Sequence, residues 1–340
     1  MRIGIVNDLA MAREALRRAV LSVPGYQVIW MAGDGSEAIE RTRLNLPDLI
    51  LMDLVMPGID GVEATRRIMA ETPCPILVVT ATVSGRMGRV FDAMGHGALD
   101  TVDTPTLGPH GEVAGATPLI EKIAIIAKLI GKSGEAGSST DIPTQPLAWN
   151  GSLVLIGSST GGPNALALIL ADLPLQRDAC TIIVQHVDVA FAPGLATWLG
   201  EKTGRHVDLI KPGDRPGKGQ ILLAATNDHL TMDSSHRLRY SPEPIALSYR
   251  PSVDVFFDCV ATHWPRPGIA TVLTGMGRDG AKGLLKLRQA KWFTIAQDQA
   301  TSIVWGMPRA AAEVGAAVEV LPIERIGKSI VEHLRRSQPS

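Results

Sequence analysis

The sequence predicts a two-domain α/β protein: an N-terminal (βα)5 unit with a parallel sheet, then a doubly wound α/β unit with a mainly parallel sheet. Three observations predict it. The chain has 340 residues, about twice the usual domain prior of roughly 150. Short apolar runs alternate with segments of helical spacing in both halves. Between the halves lies a stretch with neither pattern.

In the first half the apolar runs fall at residues 3–6, 28–32, 49–54, 76–80 and 98–103. Their regular alternation with amphipathic segments predicts a sheet covered on both faces. The run GKSGEAGSSTDIPTQPLAWNG, residues 131–151, is rich in serine, glycine, threonine and proline and keeps no period, which predicts a flexible linker. Buried-type strands resume at residues 153–156, 181–184, 220–224 and 270–274. No internal repeat is visible.

Composition narrows the function. A hydrophobic fraction of 45% and a charged fraction of 20% suit an ordinary soluble globular protein, and the longest apolar runs are too short to cross a bilayer. A net charge of -1 supplies no basic face for nucleic acid. Cys74, Cys180 and Cys259 are far apart and odd in number, against both a disulfide framework and a structural zinc site. The start MRIGIVNDLA enters a strand directly, without the pattern of an export signal, so a cytoplasmic location is expected.

In the run LILMDLVMPGIDG a buried strand ends with Asp53, the only charge in an otherwise apolar context. Ligand sites of open parallel sheets lie beyond the carboxyl ends of strands, and Asp8 follows the first strand in the same way. Two carboxylates at one edge suit Mg²⁺, which takes one or two carboxylates together with water and phosphate. With the acidic position after the first strand (Asn7, Asp8), the DxxMPxxDG run (Asp53, Met56, Pro57, Asp60, Gly61), Thr80 and GALDTVDTP, residues 1–130 resemble the receiver domain of two-component response regulators. The resemblance implies Asp53 as phosphoacceptor, Asp8, Asp53, Asn7 and the Val55 backbone around Mg²⁺, and Thr80 as the switch hydroxyl. Two positions depart from the pattern. Asn7 replaces the first acid, and Thr104 stands where a lysine would pair with phosphoryl oxygens.

In the second half GSSTG, residues 157–161, satisfies G-x-S-x-G, a serine on a sharp strand-to-helix turn. A serine nucleophile needs a base, and the base needs an orienting partner. TIIVQHVD offers His186 after one strand, and ATVLTGMGRDGAKG offers Asp279 after another. If these strands are parallel in one sheet, Ser159, His186 and Asp279 meet at one rim. Singly, each residue also suits a turn or cap. The order Ser, His, Asp differs from that of the α/β-hydrolase fold.

GSSTGG, VQH, KPGDRPGKGQILLA, RPSVDVFF, VLTGMGRDGAKG and AQDQATSIVWGMPRAA occur in the order found in CheB-type chemotaxis methylesterases. By that resemblance the domains are a receiver at 1–130, a linker at 131–149 and a methylesterase domain at 150–338. The VDTP ending and the Asn7–Asp8 pair resemble the WspF-like branch. The family implies Ser159 as nucleophile, His186 as base, Asp279 as its orienter, and Met276 N–H with the adjacent Thr160 at the oxyanion site. It further implies hydrolysis of glutamyl methyl esters on chemoreceptor-type cytoplasmic domains, with glutamine deamidation as a second activity, and a CheA-type histidine kinase as phosphodonor. The esterase needs no cofactor, and phosphorylation would uncover a masked cleft. Two rivals are an idle receiver-linked adaptor and a nucleotide binder using GSSTGGP; the latter lacks GxxxxGK[ST].

Overall fold

Two sheets organise the chain, which a computed structural model describes over residues 1–80, 87–108, 112–130, 151–173, 179–247 and 249–336. The predicted linker, 131–149, lies outside the described residues. Contacts divide the chain into two units, Met1–Gly137 and Ser138–Ser340.

In the first unit, β1 (Arg2–Val6), α1 (Ala10–Leu21), β2 (Gln27–Ala32), α2 (Gly35–Leu44), β3 (Leu49–Met52), α3 (Gly61–Glu71), β4 (Ile76–Thr80), α4 (Met87–Gly95) and β5 (Asp100–Asp103) alternate. A short hairpin, β6 (Thr106–Leu107) and β7 (Val113–Ala114), precedes α5 (Ala116–Ile130). The sheet is parallel, in the order β2-β1-β3-β4-β5. Ile3, Ile5, Leu49, Leu51, Leu77 and Val79 share one face and bury it against Leu16, Val20, Leu119 and Ile123 of α1 and α5. Asp60, the acid of the MPGIDG run, caps α3 by accepting the Glu63 N–H at 3.0 Å. Its carboxylate thus fixes where the helix after the Asp53 loop begins.

The second unit runs β8 (Ser152–Ser158), α6 (Gly162–Asp172), β9 (Ala179–Gln185), α7 (Ala192–Thr203), β10 (Asp208–Leu209) and β11 (Ile221–Leu223). An antiparallel hairpin, β12 (His229–Met232) and β13 (Leu238–Ser241), lies outside the main sheet. Then come α8 (Val253–His263), β14 (Ile269–Val272), α9 (Ala281–Gln289), β15 (Phe293–Gln297), α10 (Met307–Glu313), β16 (Glu319–Leu321) and α11 (Ile323–Arg336). The main sheet is parallel, in the order β10-β11-β9-β8-β14-β15-β16. Besides the four strands read from the sequence it therefore contains β10, β15 and β16.

Val253, Phe256, Phe257 and Val260 recur along α8 at helical spacing and are buried with Ala281, Leu284 and Leu287 of α9. Burying one such phenylalanine stabilises the fold by roughly 1.5–3 kcal/mol. The N-terminus of α8 is accordingly anchored in the core of this unit.

Both sheets reverse their winding once. In the first unit this happens between β1 and β3, and in the second between β8 and β14. At such a point the loops leaving the two strands part to opposite sides and open a crevice at the carboxyl edge. Asn7, Asp8 and Asp53 follow β1 and β3; Ser159 and the 273–279 loop follow β8 and β14.

Candidate active site and receiver site

In the first unit Asp53 is buried just past β3, and Asn7 is buried just past β1. Asp53 Oδ1 accepts the N–H groups of Leu54 at 2.7 Å and Val55 at 3.3 Å, while Asn7 Nδ2 donates to Oδ2 at 2.8 Å. Asn7 Oδ1 is already engaged, accepting the Leu9 N–H at 2.8 Å. The amide therefore steadies Asp53, and its oxygen would have to leave Leu9 to reach a metal. Asp8 is exposed beside it, and Arg13 donates to the main-chain oxygens of Asn7 and Asp8 at 2.5 and 3.0 Å. Thr80 is buried at the end of β4, in register with Asp103. The neighbouring Thr104 donates its N–H to the Thr80 carbonyl at 3.1 Å, and its own hydroxyl is buried without a partner.

In the second unit the apolar strand β8 delivers Ser159 to the carboxyl edge, and the turn into α6 closes through Gly161 at φ +77°, which glycine adopts without Cβ strain. The loop after β14 presses against this turn so closely that a Cβ on Gly275 would lie 2.7 Å from the Ser159 Cβ. Thr274 fastens the two loops. Its carbonyl accepts the Ser159 N–H at 3.1 Å and its hydroxyl donates to the Thr160 carbonyl at 2.9 Å. Among the described residues the main-chain N–H groups of Thr160 and Met276 donate to no protein acceptor. Both are free to receive developing negative charge.

β9 runs beside β8 in register Ser158↔Gln185, so the next residues, Ser159 and His186, are neighbours across the edge. His186 N–H donates to the Ser158 carbonyl at 2.9 Å, and Gln185 Nε2 donates to the Ser159 carbonyl at 2.8 Å. His186 Nε2 bonds Asp279 Oδ2 at 2.8 Å. A carboxylate only accepts, so Nε2 carries the proton and Nδ1 keeps the lone pair. Nδ1 is buried with no hydrogen-bond partner. No hydrogen bond joins the Ser159 hydroxyl to His186 in this structure.

Asp279 also accepts the Ser252 hydroxyl at 2.7 Å and the N–H groups of Val253 at 2.6 Å and Asp254 at 3.0 Å. It occupies the N-terminus of α8, where the helix dipole favours a negative charge. Burial works against its charge, but the hydrogen bonds from His186, then Ser252 and the Asp254 N–H, outweigh it and hold the carboxyl below its ordinary range. Asp254 shows the opposite balance. Burial first, then the Asp279 charge, push its carboxyl up to about 7.

The structure thus joins His186 to Asp279, sets Ser159 on the adjacent strand end, and brings Thr160 and Met276 to the same turn through Thr274 and Gly275. Sequence reasoning missed Tyr249, Ser252 and Asp254. A signal was present for Ser252: a serine directly before the apolar-periodic run VDVFF reads as an N-cap.

The outer cysteine chemistry is quiet. Burial pushes the Cys74 and Cys180 thiols up to about 12, and both are free.

Comparison with known proteins gives the family. Residues 154–330 match the CheB methylesterase family and residues 3–106 the response regulator receiver domain. A relative from Pseudomonas putida, named protein-glutamate methylesterase/protein-glutamine glutaminase of group 3 operon, is 51% identical over 98% of this chain and 99% of its own. Another of that activity name, numbered 2, from Cupriavidus metallidurans is 52% identical over 97% and 98%. The crystal structure of the Thermotoga maritima CheB methylesterase catalytic domain superposes with a TM-score of 0.52 at 33% identity, covering 54% of this chain and 98% of that one. The chain belongs to the CheB methylesterase family and carries an N-terminal receiver domain.

Proposed function

We propose that this protein is a phosphorylation-regulated protein-glutamate methylesterase that also deamidates glutamine. Its substrates are methylated chemoreceptor-type cytoplasmic domains, and a CheA-type histidine kinase supplies the phosphoryl group. One observation carries the esterase reading: His186 is bonded through Nε2 to a buried, ionised Asp279, while its other nitrogen, Nδ1, is left unpartnered on the strand next to Ser159. The names of the full-length relatives, protein-glutamate methylesterase/protein-glutamine glutaminase, support protein-bound glutamyl esters and glutamines as the groups acted on. No helix among the described residues is long and apolar enough to cross a membrane, which fits work in the cytoplasm beside the receptors.

Nδ1 takes the Ser159 proton as Oγ attacks the glutamyl ester carbonyl. The resulting oxyanion is met by the N–H groups of Thr160 and Met276. As the tetrahedral species collapses, His186 returns the proton to the departing methoxide, so methanol leaves. Water, deprotonated by the same nitrogen, then frees glutamate from the acyl-enzyme. With glutamine, ammonia leaves in place of methanol. The open Ser159–His186 hydrogen bond closes as substrate binds, as is common for catalytic hydrogen bonds seen without substrate. This half calls for no cofactor.

In the receiver, the donors suit Mg²⁺: the carboxylates of Asp8 and Asp53 and the main-chain carbonyl of Val55 would hold it. Bound there, it would neutralise phosphate charge. Asn7 holds the Asp53 carboxylate from the side, and Thr80 and Thr104 sit at the switch positions.

Methanol release from methylated receptor membranes tests the esterase. Ser159→Ala should abolish it; wild-type release by that variant would refute the assignment.

A further inference from the structure

The mechanism above leaves one aromatic ring in the site without a role. Tyr249 lies over the His186 imidazole, with ring centroids 4.9 Å apart and planes within 4° of parallel. Its far end sits beside the loop that carries Met276: a Cβ on Gly277 would lie 3.1 Å from the Tyr249 hydroxyl. Burial, then the Asp279 charge, push that phenol up from its ordinary value, so it stays a neutral ring. The segment bearing it is tied on both sides. Arg250 Nη2 donates to the Ile245 carbonyl at 2.6 Å, and the Ser252 N–H donates to His229 Nδ1 at 3.1 Å.

His186 is held on its other side by the bond from Nε2 to Asp279. That bond fixes one point of the imidazole but lets its plane tilt, and tilting carries Nδ1 out of line with the nucleophile. A parallel ring on one face opposes the tilt and keeps water off that face. We propose that Tyr249 is a positioning residue, setting the plane of His186 so that Nδ1 is directed at the Ser159 proton. The inference rests on the roles given above to Ser159 and His186. The ring does this work, not the hydroxyl.

The test uses the full-length protein and a fluorophosphonate probe, which reacts with an activated serine without needing the receptor to bind. Ser159→Ala should abolish labelling. Tyr249→Ala should slow labelling about tenfold, a loss on the scale expected when a reacting group is misaligned. It should lower kcat for methanol release by a similar factor with KM changed less than about twofold. Tyr249→Phe, which keeps the ring, should restore both, and thermal melts should show both tyrosine variants fully folded at the assay temperature. Labelling of Ser159→Ala at the wild-type rate would overturn the nucleophile assignment and this inference with it. Labelling that depends on Ser159 but is as fast in Tyr249→Ala as in wild type would overturn the inference alone. Equal losses in Tyr249→Phe and Tyr249→Ala would also overturn it.

Discussion

Ser252 acts in two ways through one hydroxyl. Its oxygen accepts the Val255 N–H at 3.3 Å as the N-cap of α8, and its proton goes to Asp279 Oδ1 at 2.7 Å. The two actions separate by mutation, because glycine replaces a capping serine at a cost of only a few tenths of a kcal/mol whereas alanine costs about 1 kcal/mol. Ser252→Ala should therefore lower stability more than Ser252→Gly in urea denaturation, yet both should lower kcat alike, since both leave Asp279 one donor short. Activity that followed stability across the pair would make Ser252 a cap and nothing more. At this scale much of the site is legible in the sequence. Ser159 and His186 directly follow apolar strands, and the glycines around Asp279 mark its loop as a tight turn. Tyr249 and Ser252 are less legible, since they act across the fold on His186 and Asp279 and no spacing along the chain encodes such contacts.

Helices α8 and α9 cap each other. Asp279, just before α9, accepts N–H groups at the start of α8, and Asp254, in the first turn of α8, accepts the Gly283 N–H of α9 at 2.7 Å. The exchange buries two carboxyl groups near each other, and their pKa shifts have opposite signs. The Asp254 carboxyl, raised to about 7, keeps a proton in the folded state that the unfolded chain has already released. Stability therefore falls as pH rises from the ordinary carboxylate range, about 4, toward about 7. The lowered Asp279 contributes in the other direction: its stabilisation is present at neutral pH and is lost only as acid takes the pH below the ordinary carboxylate range. Asp254→Asn keeps an oxygen for the Gly283 N–H and removes the titration. Its melting temperature should fall less than that of the wild type between about pH 5 and about pH 7, and parallel curves would contradict the pairing. The strands of both sheets are legible where burial comes with a run of apolar residues, as in β4 and β9. β10 has only two residues, β15 breaks its apolar run with Thr294 and Gln297, β16 is only partly buried, and the hairpin of β12 and β13 mixes polar and apolar positions.

The whole molecule pairs a receiver with an esterase, and each proposed site lies where its own sheet reverses winding. Phosphorylation can alter ester hydrolysis only by as much as it stabilises a faster state of the esterase over a slower one. Coupling energies between sites usually fall at about 1–3 kcal/mol, and about 1.4 kcal/mol corresponds to a tenfold change. A small phosphodonor with Mg²⁺ should therefore raise methanol release by the full chain on the order of tenfold, and Asp53→Asn should remove that stimulation. The replacement of the expected lysine by Thr104 sharpens the test. If the missing cation were needed for readout, Asp53 would take up the phosphoryl group with no change in rate. If the partnerless Thr104 hydroxyl and the neighbouring Thr80 suffice, uptake and stimulation will rise together. Measuring the phosphorylated fraction and the methanol rate on the same sample separates these outcomes, and an adduct without acceleration would show that this receiver does not control this esterase.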